Sequence, residues 1–239
     1  KAIFLKPDYA EAYNNLGNIL QEQGNFEESI DVFKKALLVK PDYDEAYFNI
    51  SNSFEGISFK KSNQDLQKII STLLDKKTYV KPQEINSSVV SLLKVDTKLK
   101  KYLEIQTVSD LQIKLPELIT DLTDIPLLLK FMSVCPIADK DLEKLIKNLR
   151  NALLMSIKKI DNTVEFLSFQ SALALQCYTN EYIYGQTRFE EKALKSLEEL
   201  VKQKLKNKIQ PCAKMILCLS SYKPLNHYEW SNSLIVTDA

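Results

Sequence analysis

Only four of the 239 residues are glycine: Gly17, Gly24, Gly56 and Gly185. A nucleotide cradle needs several glycines close together so that backbone amides can approach a phosphate. Neither G-x-G-x-x-G nor G-x-x-x-x-G-K-[ST] occurs, and no cofactor is expected. Histidine is scarcer still. His227 stands alone and no cysteine or carboxylate cluster has ligand spacing, so no metal site is expected. The four cysteines, at 135, 177, 212 and 218, form no C-x-x-C pair. They are too sparse for a secreted disulfide scaffold, and reduced, mostly buried thiols in a cytoplasmic protein are expected. Excess charge is missing too: 32 Lys+Arg against 31 Asp+Glu leave a net of +1. That excludes phosphate neutralisation as the source of affinity, and with it a nucleic-acid partner. No apolar run approaches the ~20 residues needed to cross a bilayer, so no membrane partner is expected.

What is present is ordinary for a globular chain of one or two domains: 45% hydrophobic and 26% charged residues. The organising feature is an internal echo. With residues 1–22 set over 35–56, a shift of 34, 11 of the 22 positions are identical. Lys6-Pro7-Asp8-Tyr9 recurs as Lys40-Pro41-Asp42-Tyr43, and Glu11-Ala12-Tyr13 as Glu45-Ala46-Tyr47. Between the copies lies one full unit. Tyr13, Leu16 and Leu20 share a face of a first helix, and Gly17 leaves room for a second to approach. Gly24-Asn25 breaks the first helix, Phe33 and Ala36 fill the gap from the second, and Pro41 ends it. Such a hairpin cannot bury its apolar face alone and must stack on neighbours.

This pattern of large and small residues with a closing proline resembles the tetratricopeptide repeat, with Ser29 standing where that family has alanine. The expected fold is therefore all-α: a short solenoid over 1–59, a capping helix or linker over 60–80, and an irregular helical domain over 81–239. Residues 1–5 match the tail of an earlier second helix, with Ala2 in the place of Ala36. The chain is accordingly expected to be a fragment with more repeats upstream. The third unit starts at Asp44 and is expected to end at Gly56.

In the repeat family the first helices line a groove. Here the resemblance places Asn14, Asn15, Asn18 and Gln21 of one unit and Phe48, Asn49 and Asn52 of the next along it, flanked by Glu11, Glu22, Glu45 and Glu55. Side-chain amides offer both a donor and an acceptor, so Asn15 and Asn49 are suited to pair with the main chain of an extended peptide. No lysine or arginine stands at these positions, which disfavours a clamp for a terminal carboxylate. Residues 1–59 carry five lysines against ten acids, a net of −5, so the expected protein or peptide partner is basic.

Beyond residue 60 the period is lost while helical signals continue. Ser62 is placed to cap a helix bearing Leu66, Ile69, Ile70, Leu73 and Leu74. Pro82 opens another, with Ile85, Val89, Leu92 and Leu93 on one face. Helices are expected over 97–104, 116–123, 126–134 and 139–157, over a buried central segment 163–184, over 187–206, and after Pro211. Asn180 and Glu181 with Gln170, Gln176 and Tyr182 form one candidate constellation. His227 with Tyr228 and Trp230 forms another. Helix-end or core roles are the simpler account of both, and Cys177 and Cys218 read as core residues.

Several stretches of this region together resemble the helical segment that joins such repeats to a class I S-adenosylmethionine-dependent methyltransferase domain in a group of bacterial proteins. They include Pro82-Gln83-Glu84-Ile85, Pro126-Leu127-Leu128-Leu129-Lys130-Phe131-Met132, Ser171 through Tyr182, and Leu219 through Leu225. The resemblance implies an adaptor serving a methyltransferase domain in the same polypeptide, outside these residues. The expectation is a non-catalytic protein–protein interaction module. Its alternatives are an enzymatic site near Glu181 and His227, or a dimerisation platform.

Overall fold

A computed structural model describes residues 9–54, 57–76, 80–105 and 107–234. Among them the chain is all-α, with thirteen α-helices, two short 3-10 turns and no strand, as the periodicity requires. The matches of residues 1–5 to an earlier helix, and of Glu55 and Gly56 to the third unit, lie outside the described residues. Two compact units emerge, Lys1–Asp96 and Thr97–Ala239.

The first unit begins with a hairpin of α1 (Ala10–Glu22) and α2 (Phe26–Val39), followed by α3 (Asp44–Ser53). Gly24 lets α1 stop. It adopts φ +77°, a left-handed conformation that glycine enters without a Cβ clash. Two bonds close the cap: Gly24 N donates to Gln21 O (2.9 Å) and Asn25 N to Leu20 O (2.8 Å), the paired pattern of a Schellman motif. Gly17 faces the Phe33 ring so closely that a Cβ there would stand 2.6 Å from Cδ1. Phe33, Ala36, Ala46 and Ile50 are all fully buried. The hydroxyl of Ser29, where alanine is the rule, is satisfied: it donates to Phe26 O (2.8 Å) and meets Ser53 Oγ at 3.1 Å.

Helices α4 (Gln64–Asp75) and α5 (Asn86–Lys94) belong to this same unit. The compact boundary therefore follows Asp96, whereas the loss of repeat period suggested 59 and 80. Hydrogen bonds explain the difference. The single proton of Ser88 Oγ is shared between Phe54 O (2.5 Å) and Ile57 O (2.8 Å), Phe59 N donates to Ser91 Oγ (2.9 Å), and Lys76 pairs with Asp44 at 2.6 Å. Asn63, not Ser62, caps α4 by accepting from Leu66 N, and Ile85 rather than Pro82 immediately precedes α5.

The second unit holds α6 (Thr97–Leu103), α7 (Val108–Ile113), α8 (Leu115–Thr123), α9 (Pro126–Val134), α10 (Lys140–Ser156), α11 (Val164–Thr179), α12 (Arg188–Lys206) and α13 (Ala213–Ser220). Helix α7 has no counterpart among the expected elements; at six residues it is too short to show a periodic stripe. Helix α11 packs on α8, α9 and α13 and is the centre of the unit. It ends at Thr179 rather than 184 and leaves Leu175 and Tyr178 in solvent, so it is not buried on every side. Its neighbour α12 starts with a capping box: Thr187 Oγ1 accepts from Glu190 N, and Glu190 Oε2 accepts from Thr187 N.

Candidate functional site

The groove candidates lie on α1 and α3, which pack side by side. Helical spacing puts Asn14, Asn18 and Gln21 on one stripe of α1, and Glu45, Phe48, Asn49 and Asn52 on one stripe of α3. A buried bond joins the stripes: Asn49 Nδ2 donates to Asn14 Oδ1 at 3.0 Å. Gln21 Nε2 reaches Asn49 O at 3.5 Å, and Ser53 Oγ donates to the same carbonyl at 3.1 Å.

This arrangement corrects two of the expected groove residues. Asn14 is 0% exposed and Asn49 9%, so neither presents a free amide to a ligand; they hold the two helices in register. Asn15, the repeat counterpart of Asn49, is exposed and makes no such contact. Asn18 and Gln21 are half-buried, and Asn52 and Phe48 are exposed, Phe48 to 46%. What remains wholly or partly at the surface is four amides, Asn15, Asn18, Gln21 and Asn52, and one aromatic ring, Phe48. No lysine or arginine occurs from Ala10 to Phe33 or from Pro41 to Phe54, so both groove helices lack positive charge. They carry the carboxylates of Glu11, Glu22, Asp44 and Glu45 instead. Burial first, and then the carboxylates of Glu45 and Glu11, push the Tyr43 hydroxyl up to about 12.

The candidates of the second unit do not form one polar site. Gln170 is buried and donates to Lys214 O at 3.0 Å. The Gln176 amide, with its nitrogen toward two carbonyls, donates to Met132 O (3.2 Å) and Cys135 O (3.0 Å) and accepts from Ile137 N (3.0 Å). Both are braces between helices, the role that buried amides need if they are to be satisfied. Glu181 is exposed and Tyr182 half-buried. His227 is exposed on a 3-10 turn, while Tyr228 and Trp230 are buried with ring centroids 4.8 Å apart. Burial raises the thiols of Cys177 and Cys218 to about 12, which makes them poor nucleophiles.

Sequence reasoning missed the most polar point of the interior. Arg150 on α10 is 1% exposed. Its Nη2 donates to Tyr184 O (3.1 Å) and Gly185 O (3.2 Å) and lies 3.9 Å from Glu190 Oε1. Its guanidinium stacks over the Tyr222 ring at 4.1 Å and near Tyr184 at 5.6 Å. Tyr222 Oη in turn donates to Glu190 Oε1 at 2.9 Å and sits 3.3 Å from Arg150 O. One side chain thus ties α10, the turn before α12, α12 itself and the segment after α13. The signals were present in the capping box and in Arg150 within an apolar stripe, but a lone arginine on a lysine-rich helix reads as solvent-facing.

No curated protein and no solved structure matches the chain. One family model does, over the α1–α2 hairpin: residues 10–43 are a tetratricopeptide repeat.

Proposed function

We propose that this chain is a binding module without catalysis of its own, and that α1 and α3 hold an extended, basic peptide across Asn15, Asn18, Gln21, Phe48 and Asn52. Tetratricopeptide repeats generally mediate protein–protein interaction, and residues 10–43 form one. The observation that carries the finer reading is the Asn49–Asn14 bond. It fixes two amide-bearing stripes at a set spacing and leaves Phe48 exposed as an apolar anchor beside the exposed amides of Asn15 and Asn52. An amide can donate to one peptide carbonyl and accept from one peptide N–H, so recognition falls on the main chain more than on side chains. The carboxylates of Glu11, Glu22 and Glu45, with no lysine or arginine along either helix, favour basic sequences.

The test is a degenerate peptide library selected on the full chain. Selected peptides should be rich in Lys and Arg, and they should lose affinity when their backbone is N-methylated. Asn15→Ala with Asn52→Ala should weaken them about tenfold, since each amide–backbone pair contributes roughly 0.5–1.5 kcal/mol. Affinity unchanged by both manipulations would reject the groove. The role as adaptor to a methyltransferase domain rests on the motif resemblance of residues 60–239. On that reading the chain itself gives no heat of binding with S-adenosylmethionine in a calorimeter, and a saturable signal would overturn it.

A further inference from the structure

The corner between α11 and α12 combines three features that the groove does not explain. The first is backbone strain. Helix α11 ends in a Schellman cap: Glu181 N donates to Tyr178 O (3.1 Å) and Tyr182 N to Cys177 O (2.8 Å). Glycine normally occupies the left-handed position of such a cap; here Glu181 fills it at φ 58°, and Tyr182 follows at φ 58°. Each non-glycine residue held there costs on the order of 1 kcal/mol. Such strain persists only where surrounding structure over-determines it, and it gathers at functional sites. Arg150 supplies the restraint by holding the carbonyls of Tyr184 and Gly185, just beyond the strained pair.

The second feature is an exposed aromatic pair. Tyr178 is 62% exposed and its ring meets that of Tyr182 edge-on, with centroids 6.4 Å apart and planes at 80°. The exposed carboxylate-bearing Glu181 lies between them in the chain, and Leu175 and Ile183 are exposed on either side.

The third is a missing counter-charge. Six other tyrosines carry a cation of this chain near the ring face: Lys40 for Tyr43, Lys76 for Tyr47, Lys101 for Tyr102, Arg150 for Tyr184 and Tyr222, and Lys223 for Tyr228. Among the described residues, Tyr178, Tyr182 and half-buried Tyr13 have none, and of these Tyr178 is the exposed one. The field at Tyr182 agrees: burial, then Cys177 and Tyr178, raise its pKa, and no lysine or arginine contributes.

We infer that Tyr178, Tyr182 and Glu181 form a recognition site for an arginine or lysine side chain of a partner polypeptide. The exposed Tyr178 ring offers its negative quadrupole to the incoming cation, Tyr182 braces that ring through the edge-to-face contact, Glu181 supplies the opposite charge, and Leu175 and Ile183 receive the apolar residues next to it. The strained cap fixes Glu181 and Tyr182 beside Tyr178, so little ordering entropy is left to lose on binding. This site lies in the second unit and is independent of the groove on α1 and α3.

The experiment uses the full chain labelled with 13C at the tyrosine rings, so that groove binding does not register at Tyr178 and Tyr182. Three acetylated, amidated probe peptides are titrated: Leu-Arg-Leu-Arg-Leu, the same sequence with lysine for arginine, and the same with neutral citrulline. The arginine and lysine peptides should shift both ring resonances saturably, and the ratio of their affinities tells which cation the site prefers. The citrulline peptide should bind at least about threefold more weakly. Tyr178→Leu, which keeps apolar bulk and removes the ring, and the conservative Glu181→Gln should each weaken the arginine peptide by about two- to fivefold, as expected for a partly exposed cation–π contact. Equal binding of the citrulline peptide would reduce the corner to an apolar docking face and overturn the proposal. So would ring shifts produced by raising the protein concentration alone, which would mark a contact between copies, or no shift at about 10 mM peptide, the range of the weakest specific complexes.

Discussion

Replacing Arg150 by methionine tests the account of the second unit most directly. Methionine has a similar length and no charge, so the change removes the guanidinium while keeping most of the packing volume. Glu190, 1% exposed, would then hold its carboxylate with only Tyr222 Oη and the Thr187 amide for partners. Stranding one member of a buried ion pair costs about 3–5 kcal/mol. An offset acts in the other direction. Arg150 Nε and Nη1 are buried with no hydrogen-bond partner, and relieving unpaired buried donors returns about 1–3 kcal/mol. The expected net loss is about 2–3 kcal/mol. The cycle is completed by Arg150→Met with Glu190→Gln. Glutamine carries no charge; its oxygen keeps the acceptor for the Thr187 amide, and its NH2 donates to Tyr222 Oη, whose own proton turns to the residue 150 carbonyl 3.3 Å away, so the double variant should be more stable than Arg150→Met by about 1–2 kcal/mol. Trp230 is the single tryptophan, is buried, and belongs to this unit; its fluorescence in urea therefore follows the relevant transition. Additive losses in the double variant would refute the reasoning, because they would show that Glu190 does not depend on Arg150.

Three further predictions concern packing and titration. Gly17→Ala should destabilise the first unit by about 1 kcal/mol: the clash with the fully buried Phe33 ring outweighs the helix preference of alanine, roughly 1–3 against 1 kcal/mol. Faster amide exchange in α1 and α2 would show it, whereas slower exchange would mean that the ring yields freely. At pH 8 a thiol reagent should modify half-buried Cys212 in the native protein and reach Cys135, Cys177 and Cys218 only on unfolding; prompt modification of more than one thiol would contradict the burial. The melting temperature should fall as pH rises above about 8.5. The Cys177 and Cys218 thiols, raised by burial to about 12, keep their protons in the folded state after the unfolded chain has begun to lose its own. The stabilisation they supply is therefore present below the unfolded value and lost toward 12, with buried Tyr222, Tyr184 and Tyr228, raised in the same sense, adding to the fall above about 10. A flat profile from pH 8 to 11 would contradict the sign.

The hairpin of α1 and α2 was legible because each of its determinants is local. Gly24 stops a helix wherever it needs a left-handed residue, Pro41 ends one, and Gly17 and Phe33 fit across a turn of fixed length. The same locality recovered most helices of the second unit from caps and stripes. It failed where identity in sequence does not imply identity in surroundings. Asn15 and Asn49 are the same residue at the same repeat position, yet one is exposed and the other bonded to Asn14. Asn49 has α1 beside it, and a side chain's availability is decided by what packs against it. A pattern that repeats every 34 residues predicts a shared face without saying which of its residues the stacking consumes.

The scarcity of glycine, read from the sequence as an argument against a phosphate cradle, also acts on the backbone. Three helices finish in the same pair of 6→1 and 5→2 bonds: α1 at Gly24, α11 at Glu181, and α12 at Lys208, where Ile209 N donates to Lys204 O and Lys208 N to Leu205 O. Only the first has a glycine in the left-handed seat. Lys208 is exposed at a lysine-rich helix C-terminus, where its charge faces the negative end of the macrodipole and partly offsets the strain. Glu181 has no such compensation, since a carboxylate at a helix C-terminus meets the same sign, and Tyr182 adds a second left-handed residue. The unfavourable choice at that one cap separates it from the others. Glu181→Gly should stabilise the fold by about 1 kcal/mol through relief of both strain and like-sign repulsion, while weakening any ligand that needs the carboxylate. An unchanged or lowered midpoint in the Trp230 transition would show that the cap is not strained, and would remove the energetic reason for regarding this corner as anything more than a turn.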